Sequence, residues 1–470
     1  MKDLNQLLIT GGLSALIVVL ILLFTSMLSS MMRMTDDKTG DVVRDVKLSI
    51  KRGRVALILA LLLCLTLFLL VRYLPSSGLE GHITDWLNLL IRWAHVILGI
   101  SWIGASFYFI FLENSLNRTE NLRDELAGNL WAVHGGGFYY VEKYKVAPKE
   151  LPKKLHWFKY EAYYTWLTGI LLLTVVYYLN ASSFMTDPSV SDISPANAVM
   201  LGIGSIISGW FVYDLLCRTP LLHRKTAFAL VGFIIIVLYS ILLTHYLNGR
   251  AAFIHIGAIL GTIMAGNVFF VIIPSQKELV GAAKEGRPVN PELGKLAGLR
   301  SLHNNYTTLP VIFIMISNHF PATFGHSWNW IILAGLTLAS VAVRHFINLH
   351  EKGLHHVQMI AFAAIAIFAL IIVTAPESNT GKITRNVAFT EVEPIFKKRC
   401  VVCHSSKPTD DVQKVAPGGV MFDTKEQIQK MSTRILVRAV QTKTMPQGNK
   451  TAITDEERNL IGAWIEQGSK

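Results

Sequence analysis

Five consecutive residues, Cys400-Val401-Val402-Cys403-His404, set two thiols and an imidazole at the spacing C-x-x-C-H. This is the attachment pattern of a c-type haem. The thiols form thioethers with the two vinyl groups, and the histidine becomes an axial ligand of the iron. The spacing is strict because two covalent anchors and one axial bond must meet one flat macrocycle. A redox or zinc-binding C-x-x-C followed by a chance histidine is the plainer alternative. The second axial ligand of a His/Met haem should follow downstream. Met445, in Thr444-Met445-Pro446-Gln447-Gly448-Asn449, is the candidate, ahead of Met421 and Met431. Beyond it, Thr454 is placed to cap a helix that opens on Asp455, Glu456 and Glu457 and carries Leu460, Ile461, Trp464 and Ile465 at helical spacing. Such a terminal helix packs against the first helix in small cytochromes c. Cys400, Cys403, His404 and Met445 are therefore the expected haem-binding set, the last two on the iron.

The elements that must hold this segment are read from the whole chain. It has 470 residues, of which 51% are hydrophobic and 16% charged, with a mean hydropathy of +0.41. Such a composition belongs to a polytopic membrane protein in a lipid bilayer. The net charge of +12 invites a nucleic-acid partner, but cytoplasmic loops of membrane proteins collect Lys and Arg for another reason, so none is expected. Cys64 and Cys217, in or beside apolar segments, read as packing residues.

Ten apolar stretches are long enough to span a bilayer: 7–30, 54–74, 86–112, 163–180, 197–217, 226–247, 251–273, 304–320, 328–348 and 356–375. The first is too long for a signal peptide and lacks a small-x-small cleavage site. Alternate connections carry 25 basic residues on one side and only Arg250 on the other. The positive-inside rule then places both termini outside. Bacterial haem attachment outside the cytoplasmic membrane makes the same demand independently. The expected fold is all-α: a polytopic transmembrane bundle of about ten helices with a periplasmic C-terminal cytochrome c domain, in the bacterial inner membrane. The domains would be an extra helix pair with a cytoplasmic linker (1–82), an eight-helix membrane domain (83–375), a linker (376–386) and the cytochrome (387–470).

Ionisable groups inside spanning helices are functional candidates. Arg92 and His95 lie three apart on one face of the third stretch. His255 opens the seventh. His95 and His255, at similar depth, could ligate a haem b; the plainer reading has Arg92 snorkelling outward and His95 bonded to a neighbouring carbonyl. Electrons cannot cross about 30 Å of hydrocarbon in one hop. Either the substrate is oxidised near the outer side, or a relay sits within the helices.

Several motifs resemble one family. These are Asp85-Trp86-Leu87-Asn88-Leu89-Leu90-Ile91-Arg92-Trp93-Ala94-His95 with Ser101-Trp102-Ile103-Gly104, Val133-His134-Gly135-Gly136-Gly137-Phe138-Tyr139, Leu155-His156-Trp157-Phe158-Lys159-Tyr160-Glu161, Ser301-Leu302-His303-Asn304-Asn305-Tyr306 and Ile316-Ser317-Asn318-His319. They are similar to the membrane-bound urate oxidases (urate hydroxylases) with a fused C-terminal cytochrome c, from about residue 83 onward. The extra N-terminal helix pair departs from the eight-helix pattern. The resemblance implies oxidation of urate to 5-hydroxyisourate in purine catabolism, with electrons leaving through haem c to a soluble cytochrome c or a terminal oxidase. An anionic planar purine calls for a cation, amide donors and an aromatic face. Arg92, Trp102, Trp166, Asn267, Asn304, Asn305 and Tyr306 offer these, and His95, His134 or Glu161 a base. The alternatives are an electron-transfer cytochrome subunit linking the quinone pool to a terminal oxidase, and a permease with an unrelated cytochrome tail.

Overall fold

The structure is a computed structural model that describes residues 79–470 apart from 120, 149, 153, 376–382 and 384. The helices expected at 7–30 and 54–74, Cys64 and most of the 376–386 linker lie outside the described residues. Residues 87–470 form one compact unit.

The helices up to residue 375 are α1 (Leu79–Ser115), α2 (Tyr160–Leu173, continued by a π turn at Thr174–Tyr178), α3 (Ala181–Phe184), α4 (Pro195–Cys217), α5 (Lys225–Tyr246), α6 (Gly249–Lys284, with a π turn at Asn267–Ile272), α7 (Pro291–Ser317), α8 (Pro321–Phe324), α9 (Asn329–His350) and α10 (Gln358–Val373). The apolar stretches expected between 86 and 375 each fall on one of them. Thr84–Ser115, α4, α5, α6 and α9 are long and apolar enough to cross a membrane. The 22 residues of α9 make a rod of about 33 Å, enough for about 30 Å of hydrocarbon. Start signals are local. Ser194 accepts from Asn197 N ahead of Pro195, Asn248 accepts from Ala251 N, and Asn290 accepts from Glu292 N ahead of Pro291.

Helix α6 is the axis of the bundle. Phe253, His255, Ile256 and Ile259 are fully enclosed, and Leu243, Leu247, Ile314 and Leu333 complete the core around them. A helix apolar on all sides must be wrapped on all sides, and small residues let its neighbours close in. An added Cβ would lie 2.6 Å from Ile259 at Gly209 and 2.7 Å from Ile314 at Gly257.

The long 113–162 connection departs from the all-α expectation. It holds an antiparallel hairpin, β1 (Leu126–His134) and β2 (Gly137–Tyr144), in register Val133↔Phe138 and His134↔Gly137. The turn residues Gly135 and Gly136 take φ of 59° and 79°. Left-handed backbone at both positions closes a tight two-residue hairpin and suits glycine.

The C-terminal segment builds a separate core on α11 (Phe389–Arg399), α12 (Lys425–Lys430), α13 (Ser432–Ile435, continued by a π turn at Leu436–Gln441) and α14 (Asp455–Glu466). Thr454 caps α14 as expected, in a capping box with Glu457. Trp464 is 1% exposed and meets Phe389 and Phe396 of α11 at ring distances of 5.5 and 6.2 Å. Arg399 binds both carboxylate oxygens of Glu457 across the same contact.

Gly249 faces backbone: an added Cβ would stand 1.9 Å from the Phe324 carbonyl oxygen and 2.9 Å from Asn329 Nδ2. Gly249→Ala is expected to cost about 1–3 kcal/mol by overpacking and to lower the unfolding temperature in detergent. Gly232→Ala, with nothing within 4 Å, should leave it unchanged.

Candidate functional site

Cys400 caps α11, and the Cys403 and His404 amides donate to its carbonyl at 3.2 and 2.9 Å. The motif is thus one tight turn at a helix end. His404 Nδ1 lies 2.9 Å from the Val420 carbonyl. A carbonyl only accepts, so Nδ1 carries the proton and Nε2 presents a lone pair. Met445 is tied on both sides of its side chain: its amide donates to Arg438 O at 2.9 Å, and its carbonyl accepts from Arg458 Nη1 at 2.7 Å. Cys400, Val401 and Met445 all pack against the C-terminal core. Burial pushes the Cys400 thiol up to about 12 and the Cys403 thiol to about 11. A reactive dithiol shows the opposite shift. Among the described residues no three His, Cys, Asp or Glu side chains converge as metal ligands, so the zinc alternative lacks its four-ligand set.

Within the bundle the polar residues sort into separate clusters. Asn267 and Asn304 share one. Asn267 Nδ2 donates to Asn304 Oδ1 (2.8 Å) and Tyr213 OH (2.9 Å), and Arg300 Nη1 donates to Asn267 Oδ1 (3.1 Å). Arg300 Nη2 meets Asp214 Oδ1 at 2.8 Å, and Arg218 holds the other Asp214 oxygen. His303 Nδ1 lies 2.9 Å from Tyr213 OH. Most of these groups have partners, which marks a clamp between α4, α6 and α7.

Asn305 belongs elsewhere: its Oδ1 accepts from Asn348 Nδ2 at 2.8 Å, and Tyr306 OH reaches His345 Nδ1 at 2.7 Å. Nearby on α9, Arg344 is fully buried with its guanidinium 3.8 Å from the Phe107 ring centroid and no hydrogen-bond partner for its three nitrogens.

Arg92 and His95 keep one face of α1. Arg92 donates to Asn88 Oδ1 at 2.9 Å. His95 Nδ1 lies 3.1 Å from both Thr165 O and Thr168 Oγ1, so Nε2 is again the free nitrogen. His255 is engaged at both ends, Nδ1 by Ala251 O at 2.7 Å and Nε2 by Tyr178 OH at 3.3 Å. A Cβ at Gly202 would stand 2.4 Å from that Nε2. Neither nitrogen is free for iron, so these residues do not fit a haem b held by His255. Trp102 packs with Ala162, Val268 and Ile273. Glu161 has one buried oxygen, Oε2, without a partner. His134 sits exposed at the hairpin turn, with none of these.

A further cluster lies at the bundle end that the C-terminal unit covers. Asn318 Oδ1 accepts from Arg250 Nε at 3.1 Å and Tyr177 OH at 3.3 Å, and Arg250 stands 5.5 Å over the Phe184 ring. The Met445 loop rests on this end. A Cβ at Gly448 would lie 2.5 Å from Thr186 O, and one at Gly325 would lie 2.5 Å from Thr444 Cγ2. Sequence reasoning used Arg250 only as a charge count and missed Tyr177. The signal was available: a lone basic residue on the side that otherwise has no Lys or Arg.

Residues 81–375 match the family described as Urate oxidase N-terminal. No curated protein and no solved structure matches the chain.

The Asp214–Arg300 pair should be costly to halve. Arg300→Met is expected to destabilise the protein by about 3–5 kcal/mol, seen as a lowered unfolding temperature in detergent. Adding Asp214→Leu and Arg218→Leu should restore part of the loss.

Proposed function

The chain belongs to the urate oxidase N-terminal family, and on that premise we propose that it is a membrane-bound urate oxidase that passes electrons to its own C-terminal cytochrome c. Urate and water give 5-hydroxyisourate, two protons and two electrons. Residues 83–375 form the oxidising membrane domain and 387–470 the cytochrome, joined by the 376–386 linker and preceded by the 1–82 helix pair. The protein sits in the bacterial inner membrane with the cytochrome outside, a reading that the one-sided distribution of basic residues and the haem motif both support.

The donor set of the C-terminal unit fits a haem c. Two half-buried thiols on one turn would carry it, and His404 Nε2 and Met445 Sδ would hold its iron. When bound, such a haem supplies a one-electron acceptor, so each urate requires two successive transfers to an outside acceptor such as a soluble cytochrome c or a terminal oxidase. The chain's own groups do the rest. His95 is suited to take a proton, because the Thr165 carbonyl fixes its tautomer with Nε2 as the basic nitrogen. Arg92, one turn away, favours an anionic substrate beside it. The observation that carries this function is the seating of the Met445 loop on α3 and α8, which brings the second ligand's segment onto the bundle itself and shortens the electron path.

Purified protein, oxidised and freed of oxygen, should show a reduced c-type absorption band on addition of urate. No band with urate, while dithionite still reduces the haem, would sink the enzyme and favour an electron-transfer subunit. Met445→Ala should shift the haem midpoint potential and visible spectrum. His95→Gln should lower kcat by about 10²–10⁴-fold with haem content unchanged.

A further inference from the structure

The reaction needs a place where an anionic purine, water and the electron exit meet, and three arginines mark one. Arg250, on the first turn of α6, binds Asn318 beside Tyr177 and lies over Phe184, and its charge acts on Arg92 of α1 and on Arg438 of the π turn that follows α13. Among the described residues none of the three is in an ion pair with a carboxylate. Like charges gathered in a partly desolvated junction repel, and an anion is what relieves them.

The surroundings suit a flat, delocalised anion. Arg250 Nε is spent on Asn318 Oδ1, its guanidinium also faces the Tyr177 hydroxyl, and its charge and planar head suit a carboxylate-like or enolate-like anion. Asn318 Oδ1 is doubly occupied by Arg250 and Tyr177, which leaves the Nδ2 amide to donate. Tyr177 and Phe184, 5.9 Å apart edge to face, supply aromatic walls, and Arg250 already lies over the Phe184 ring. Tyr177 reaches this position from the π turn of α2, a local widening that recurs at functional sites.

We propose that this junction, formed by Arg92, Arg250, Tyr177 and Asn318 beneath the Met445 loop, is the binding site for the urate anion. The inference rests on the proposed function and adds the site's location. It puts the purine at the bundle end that the C-terminal unit covers. There the path to the Met445 loop, which rests on the same end, is short.

The rival cation, Arg344, is placed less well. It is fully enclosed over Phe107 and lies 15 residues along α9 from Asn329, which touches Phe324 at the covered end. That is about 22 Å of helix.

The test is urate binding to dithionite-reduced protein, where turnover cannot proceed, measured by calorimetry beside the haem midpoint potential. Arg250→Gln and Arg92→Gln are each expected to weaken urate binding at least tenfold with the potential unchanged. Arg250→Lys, which keeps the charge and loses the planar head, should fall between. Wild-type affinity in both Gln variants would overturn the site. So would a shifted potential at unchanged affinity, since the arginines would then be neutralising haem carboxylates. Lost binding in Arg344→Gln alone would move the anion to the other end of the bundle. Wild-type protein that neither binds urate nor is reduced by it would defeat the proposed function itself, whereas urate-driven reduction that persists at wild-type affinity in the Arg variants defeats only the site.

Discussion

A charge inside a helical bundle has to be met by another charge or by a full set of hydrogen bonds, and the packing of α4, α6 and α7 follows from that demand. Arg300 is 3% exposed. Its guanidinium is met by Asp214 from α4 and Asn267 from α6, and Asn267 in turn binds Asn304 one helical turn along α7 from the arginine. Asn267 is in position because α6 widens into a π turn there. The clamp fixes how far α7 can slide along α6, and so fixes where Asn318, at the far end of α7, comes to stand.

The same demand explains why the polar residues do not gather into one pocket. Asn304 and Asn305 are adjacent in sequence but point into different networks, one toward α6 and the other toward Asn348 on α9. Neighbouring positions on a helix are rotated by about 100°, so a run of polar residues serves several partners. A motif read as a unit is here divided among neighbours.

At the other extreme, the C-terminal unit folds on a small core of its own. Its two ends, α11 and α14, are joined by the Trp464 contacts and the Arg399–Glu457 pair. The turn carrying Cys400, Cys403 and His404 extends from one helix, and Arg458 of the other holds the Met445 carbonyl. The groups that would hold a haem are thus braced by the packing of the two helices. The loop ahead of α14, 442–450, touches the bundle.

The sequence by itself determined what depends on local pattern and composition. The apolar stretches between 86 and 375 fall on helices, Thr454 caps where capping chemistry predicts, and the C-x-x-C-H segment forms a helix-end turn with its histidine free at Nε2. The Gly135-Gly136 hairpin was present in the residues too, but the helical expectation for the whole chain hid it. Tertiary structure decided the rest, because partner choice in a bundle depends on rotation and depth that spacing does not encode. Arg300 and Arg344, counted with the basic connections, turn inward and are buried. His255 is locked by Ala251 and Tyr178. His134 stands apart on the hairpin. Arg250, a single residue in a short connection, acquires its neighbours only when α2, α6, α7 and the Met445 loop come together.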